Sequence, residues 1–61
     1  MKFNGKPIRV SMLNWTELHL DDGRVYTKTT FSLLPHVHQE YLYSREVRDM
    51  VEEDGMVILY V

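Results

Sequence analysis

The segment Leu20-Asp21-Asp22-Gly23-Arg24 constrains this chain more than any other. An Asp-Gly pair between two alternating apolar runs is the strongest short-range hairpin signal, because a type I′ turn needs positive φ at both central residues. Centring the turn on Asp22-Gly23 predicts a register. Asp21 faces Arg24, Leu20 faces Val25, His19 faces Tyr26, Leu18 faces Thr27 and Glu17 faces Lys28. Two opposite-charge pairs result, and each favourable cross-strand pair contributes ~0.2–1 kcal/mol. Ile8, Val10, Met12, Leu18 and Leu20 then share one face of the first strand. Val25, Thr27, Thr29, Phe31 and Leu33 match them on the second. Arg9, Ser11, Trp15, Glu17 and His19 point the other way, so the sheet has one buried face. Asn14 and Thr16 interrupt that face, which predicts a bulge or bend near Asn14-Trp15.

Pro35 ends the second strand, since it cannot donate to a ladder. It suits the first turn of a helix, with Ser32 as a cap. Leu34, Val37 and Tyr41 follow helical spacing, and Val47, Met50 and Val51 continue it. Ser44 is a candidate cap for a second helix, so residues 35–54 read as one helix or two. Gly55 reads as the residue that stops the helix. Met56 to Val61 is apolar on both faces, as in a strand at the middle of a sheet or at a subunit contact. The order β-β-α-β predicts an α+β fold, a small three-stranded antiparallel sheet packed by one helix. Residues 1–61 are expected to form a single domain.

Stability is the next constraint. A domain of 61 residues buries only about 60% of its unfolded surface, and this one has no cysteine for a disulfide. Association with a second copy is the expected remedy, hence a homodimer. No apolar run approaches the ~18 residues of a membrane span, and Met1-Lys2 is followed by polar residues rather than a signal segment. The expected location is the cytoplasm. A cleft holding a positioned catalytic set needs more scaffold than this, so a binding protein is expected rather than an enzyme.

Charge is unevenly placed. Residues 1–31 carry five basic and three acidic side chains, whereas residues 32–61 carry two basic and six acidic ones. Glu52, Glu53 and Asp54 fall where the predicted helix ends, a place the macrodipole disfavours for anions. The ordinary reading is a solvated face; the sharper one is an acidic surface that steers a basic partner. His36 and His38 diverge on a helix and lack a third ligand, so neither a metal nor a cofactor is implied. Tyr26, Tyr41, Tyr43, Tyr60 and Trp15 resemble a base-stacking platform, but the acidic second half would repel phosphate. Direct nucleic-acid binding is therefore less favoured than a protein interface.

The hairpin from Leu20 to Tyr26 and the later Glu40-Tyr41-Leu42-Tyr43 resemble the small phage-encoded inhibitors of uracil-DNA glycosylase known from Bacillus phages. Val10-Ser11-Met12-Leu13 resembles their first strand. The resemblance implies a homodimer of three-stranded sheets with one helix. It also implies inhibition by DNA mimicry, in which carboxylates replace phosphates and an apolar pocket takes the side chain that the enzyme inserts when it flips uracil. By this likeness Glu40 is a phosphate mimic, Tyr43 the pocket tyrosine and Leu42 its neighbour. Gln39 stands where the family has phenylalanine, which leaves Val37, Tyr41 or Tyr43 to line the pocket. Lys28 stands where it has a second glutamate, and Glu17 is the substitute. The other partner class is an unrelated target of an anti-defence or host-takeover protein.

Overall fold

Met56–Tyr60 is apolar on both faces, and it occupies the place such a strand needs, inside a sheet flanked on both sides. The computed structural model describes residues 1–61. Its elements are β1 (Lys2–Phe3), β2 (Lys6–Pro7), a 3₁₀ turn (Val10–Met12), β3 (Glu17–His19), β4 (Val25–Thr27), α1 (Lys28–Ser32), α2 (His36–Tyr43), β5 (Asp49–Glu53) and β6 (Met56–Tyr60). Four strands form one sheet in the order β4-β3-β6-β5, and β1 and β2 form a separate hairpin. The fold is α+β, but the sheet is mixed and four-stranded rather than antiparallel and three-stranded. β3 and β6 run parallel, whereas β4 and β5 pair antiparallel at the edges.

The extra strand comes from residues expected to be helical. Val47, Met50 and Val51 fit a helical stripe, yet Asp49–Glu53 pairs with Met56–Tyr60 across a two-residue loop. Asp54 and Gly55 both have positive φ, 50° and 77°, which is the type I′ turn. Gly55 thus reverses a hairpin instead of ending a helix. Two short helices, α1 and α2, replace the expected single or paired helix over 35–54.

The β3–β4 hairpin forms, one residue out of the expected register. Glu17 faces Thr27, Leu18 faces Tyr26 and His19 faces Val25. The reason lies in the loop. Gly23 N–H donates to the Leu20 carbonyl at 3.1 Å, and Leu20 N–H to the Arg24 carbonyl at 2.8 Å. Asp21 and Asp22 keep negative φ, and only Gly23 is positive at 94°. This is a three-residue loop, a type I turn followed by a bulge glycine. A slip of one residue exchanges the faces of a strand. Tyr26 therefore turns toward the core, and Val25, expected inside, is 51% exposed.

The second strand also ends early. Thr27 Oγ1 accepts from Thr30 N–H at 3.2 Å, and Thr30 Oγ1 accepts from Thr27 N–H at 2.9 Å. That reciprocal capping box starts α1 and carries Phe31 into the core, while Leu33 is left outside at 78% exposure. The expected long first strand is broken as well. A 3₁₀ turn occupies Val10–Met12, and Met12 faces solvent. Ile8 and Val10 instead join the chain near Glu46, through Val47 N–H to the Ile8 carbonyl and Val10 N–H to the Arg45 carbonyl.

Nine residues form the buried core: Val10, Trp15, Leu18, Leu20, Phe31, Leu42, Val47, Leu59 and Val61. Leu18 and Leu59 sit side by side on the inner face of the sheet, beneath the helices. Trp15, expected to point outward, is buried and meets Phe31 edge to face at 5.3 Å. Lys28 Nζ lies 4.0 Å above its ring, and the indole N–H has no acceptor. The outer face carries Glu17, His19, Val51, Met56, Ile58 and Tyr60, all half-buried, with no helix over them.

Candidate functional site

α2 is the element that displays the sequence-predicted site. Pro35 precedes it, and the Pro35 carbonyl accepts the N–H groups of His38 and Gln39. Gln39 Nε2 donates to the Leu34 carbonyl at 2.9 Å and the Ser32 carbonyl at 3.3 Å. The residue that departs from the inhibitor pattern therefore ties α1 to α2 by satisfying carbonyls at their junction. At the other end, Ser44 N–H donates to the Glu40 carbonyl, and Ser44 Oγ to the Tyr41 carbonyl.

The six residues singled out by sequence fall into three places. Val37, Glu40 and Tyr41 lie together on the exposed side of α2. Val37 and Tyr41, exposed by 67 and 58%, form a short row on successive turns of α2, and Leu33, 78% exposed, lies before it in the α1–α2 connection. Glu40 lies beside the row and pairs with His36 at 3.0 Å, one turn earlier. Leu42 and Tyr43 turn inward. Leu42 is buried, and Tyr43 packs on Phe31 with ring centroids 5.0 Å apart. Glu17 is on the outer face of the sheet, where its carboxylate is 2.9 Å from His19 Nε2. It does not share a surface with Glu40.

Beside the row, a cleft of about 230 Å³ opens between the β3–β4 loop and α2. Leu20, Leu34 and Leu42 give it an apolar floor, and Asp21, Asp22, Arg24, Tyr26, His38, Tyr41 and Arg45 line the rest. Asp22 and Arg24 form a salt bridge at 2.7 Å. The hydrogen bond from Arg24 holds the Asp22 carboxyl below its ordinary value, and the same bond raises the Arg24 guanidinium. Arg24 also reaches the Tyr26 hydroxyl. The Arg45 guanidinium hydrogen-bonds the Tyr41 hydroxyl and lies near its ring, and neither Arg45 nor Asp21 enters an ion pair.

The cleft was not legible in the sequence, because it joins residues 20–26 to residues 34–45 across the fold. The i, i+4 spacing of Val37 and Tyr41 was the one available signal for the row. The acidic residues Glu52, Glu53 and Asp54 form the exposed end of the β5–β6 hairpin, at the opposite end of the sheet from the Asp21–Gly23 loop. No group of three or more His, Asp or Glu side chains is placed to hold a metal ion. No helix is long and apolar enough to cross a membrane. No family model, curated protein or solved structure matches this chain.

Proposed function

We propose that this chain is a small protein-binding module that inhibits a nucleic-acid enzyme by presenting a DNA-like surface, with uracil-DNA glycosylase the first enzyme to test. The observation that carries the reading is the exposed α2 row of Val37 and Tyr41 with the Glu40 carboxylate at its side. Apolar residues scattered singly on a surface need no explanation; two neighbours on successive turns of one helix, beside a carboxylate, suit a contact site. A DNA-gripping enzyme presents basic groups for phosphates, and a base flipper adds an apolar wedge. Glu40 suits the first and the row suits the second. Leu42 and Tyr43 serve this surface by anchoring α2 in the core.

Two copies associate in this reading, and the half-buried outer face with Ile58 and Tyr60 is the surface that supports it. The place of action is the cytoplasm, where the enzyme works. The role is binding, without catalysis or cofactor. Titration into a uracil-excision assay tests it. The expected result is stoichiometric inhibition by the parent, weakened about 30-fold by Val37→Ala with Tyr41→Ala, as for two interface anchors worth ~1 kcal/mol each. An uninhibited glycosylase at micromolar excess overturns the choice of enzyme, and full inhibition by the double variant overturns the surface.

A second reading rests on the acidic hairpin end. There the chain is an interaction module for a different basic target, and Glu52, Glu53 and Asp54 make the contact. Reversing these three charges separates the two. The α2 reading expects a modest loss of binding from weaker steering, and the hairpin reading expects near-total loss.

A further inference from the structure

We propose that the cleft between the β3–β4 loop and α2 binds the carboxyl terminus of a partner chain that ends in a large aliphatic residue. This goes beyond the reading above, since it concerns the cleft beside the Val37–Tyr41 row, with Tyr41 the residue the two share. Three observations lead to it.

The first is size. At ~30 Å³ for each free water the 230 Å³ cleft holds about eight waters, and covalently bonded atoms pack more tightly than that. The side chain, Cα and carboxylate of one terminal leucine fit within it, and it is smaller than the roughly 300–1,000 Å³ of ordinary small-molecule sites. The second is polarity. The floor of Leu20, Leu34 and Leu42 accepts hydrocarbon, while the wall supplies cationic donors.

The third is a difference between the two arginines. Arg24 is engaged, with Nε donating to Asp22 at 2.7 Å and Nη1 to the Tyr26 hydroxyl. Arg45 is positioned without being neutralised. Its Nη1 is 3.3 Å from the Tyr41 hydroxyl and its guanidinium carbon is 5.7 Å from the centre of that ring. The carbonyls at the end of α2 do not occupy it either, since Ser44 and the Arg45 backbone N–H satisfy them. A planar guanidinium with free donors beside an apolar floor recognises a carboxylate attached to a hydrocarbon. Asp21, the unpaired acid on the opposite wall, repels a second negative charge and favours a basic side chain earlier in the bound segment. The cleft is open and adjoins the exposed Tyr41, which gives the preceding residues of a chain a surface to lie along. That favours a protein terminus over a free small acid.

The test uses the whole protein, methyl-labelled and followed by NMR. Three probes are titrated: acetyl-Gly-Lys-Leu with a free carboxylate, the same peptide as its C-terminal amide, and hexanoate. Saturable shifts of the Leu20, Leu34 and Leu42 methyls are expected with the free acid, in the millimolar range typical of so small a ligand. The amide should bind about tenfold more weakly, from loss of one charge-assisted pair. In Arg45→Gln that gap should close, while unchanged core methyls report an intact fold. Equal binding of acid and amide to the parent overturns the proposal, as does the absence of saturable shifts up to about 10 mM. Hexanoate binding as tightly as the tripeptide shows a site for free acids and overturns the chain terminus as its source.

Discussion

Asp54→Ala separates the hairpin from a helix by the sign of its effect. Asp54 sits at φ 50° and Gly55 at 77° in the β5–β6 turn. The left-handed region costs an ordinary L-residue ~1–2 kcal/mol, and Asp and Asn bear it more easily than Ala. Part of that penalty is already present with Asp, so the substitution should cost about 1 kcal/mol. Relief of repulsion among Glu52, Glu53 and Asp54 offsets only tenths of this at an exposed site. Were residues 45–54 a helix, Ala would be the better residue, by propensity and by removing an anion from the C-terminus. Asp54→Asn is the control, because it removes the charge and keeps the tolerance of positive φ. Urea melts followed by far-UV circular dichroism and by Trp15 fluorescence give both values. A chain of this length has about 3–9 kcal/mol in total, so 1 kcal/mol is resolvable and equals a fall of about 4–8 °C in Tm. An Ala variant as stable as the Asn variant, or more so, would refute the turn.

Two further expectations concern stability and pH. Trp15→Phe should cost far less than the ~3–5 kcal/mol of Trp15→Ala, because it keeps a ring against Phe31 and removes a buried N–H without an acceptor. Equal losses in denaturant melts would contradict that. Asp22 has its carboxyl lowered from 3.8 by Arg24, so the pair favours the folded state above the ordinary carboxylate pKa, and that contribution fades as pH falls through the lowered value. Arg24→Gln should bring the Asp22 carboxyl back up toward 3.8 in an NMR titration, and an unmoved value would show that another group depresses it.

What the sequence revealed follows from how local each signal is. Leu20 to Arg24 announced a hairpin because turn chemistry is written in adjacent residues. Its register depended on whether Gly23 is the second residue of a two-residue turn or the bulge residue after a type I turn, and an Asp-Gly pair fits both. The same pair at Asp54-Gly55 makes the turn expected at Asp22-Gly23. It was hidden because a helix stop and a hairpin both use a left-handed glycine. Val47, Met50 and Val51 satisfy helical spacing and short-strand spacing alike, so only pairing with Met56–Tyr60 decides between them. Trp15 lies inside because the chain bends on either side of it, at Leu13 and Thr16, out of phase with any single strand. On α2, helical spacing put Val37 and Tyr41 on one face, but that this face is exposed, 67 and 58%, depends like the cleft on contacts distant in the chain.

The parallel seam between β3 and β6 has a consequence for synthesis. Thr16 and Val57, hydrogen-bonded at the foot of that seam, are 41 residues apart. A ribosome adding about 5–20 residues per second spends roughly 2–8 s between them. Over that interval β3 can pair with β4, but its other edge has no neighbour, and Leu18 lacks Leu59 on that side of the inner face. An unpaired strand edge is a template for the wrong chain. The nascent protein is therefore most vulnerable to aggregation just before β6 emerges, and a chaperone that shields strand edges should raise its yield without altering the finished fold.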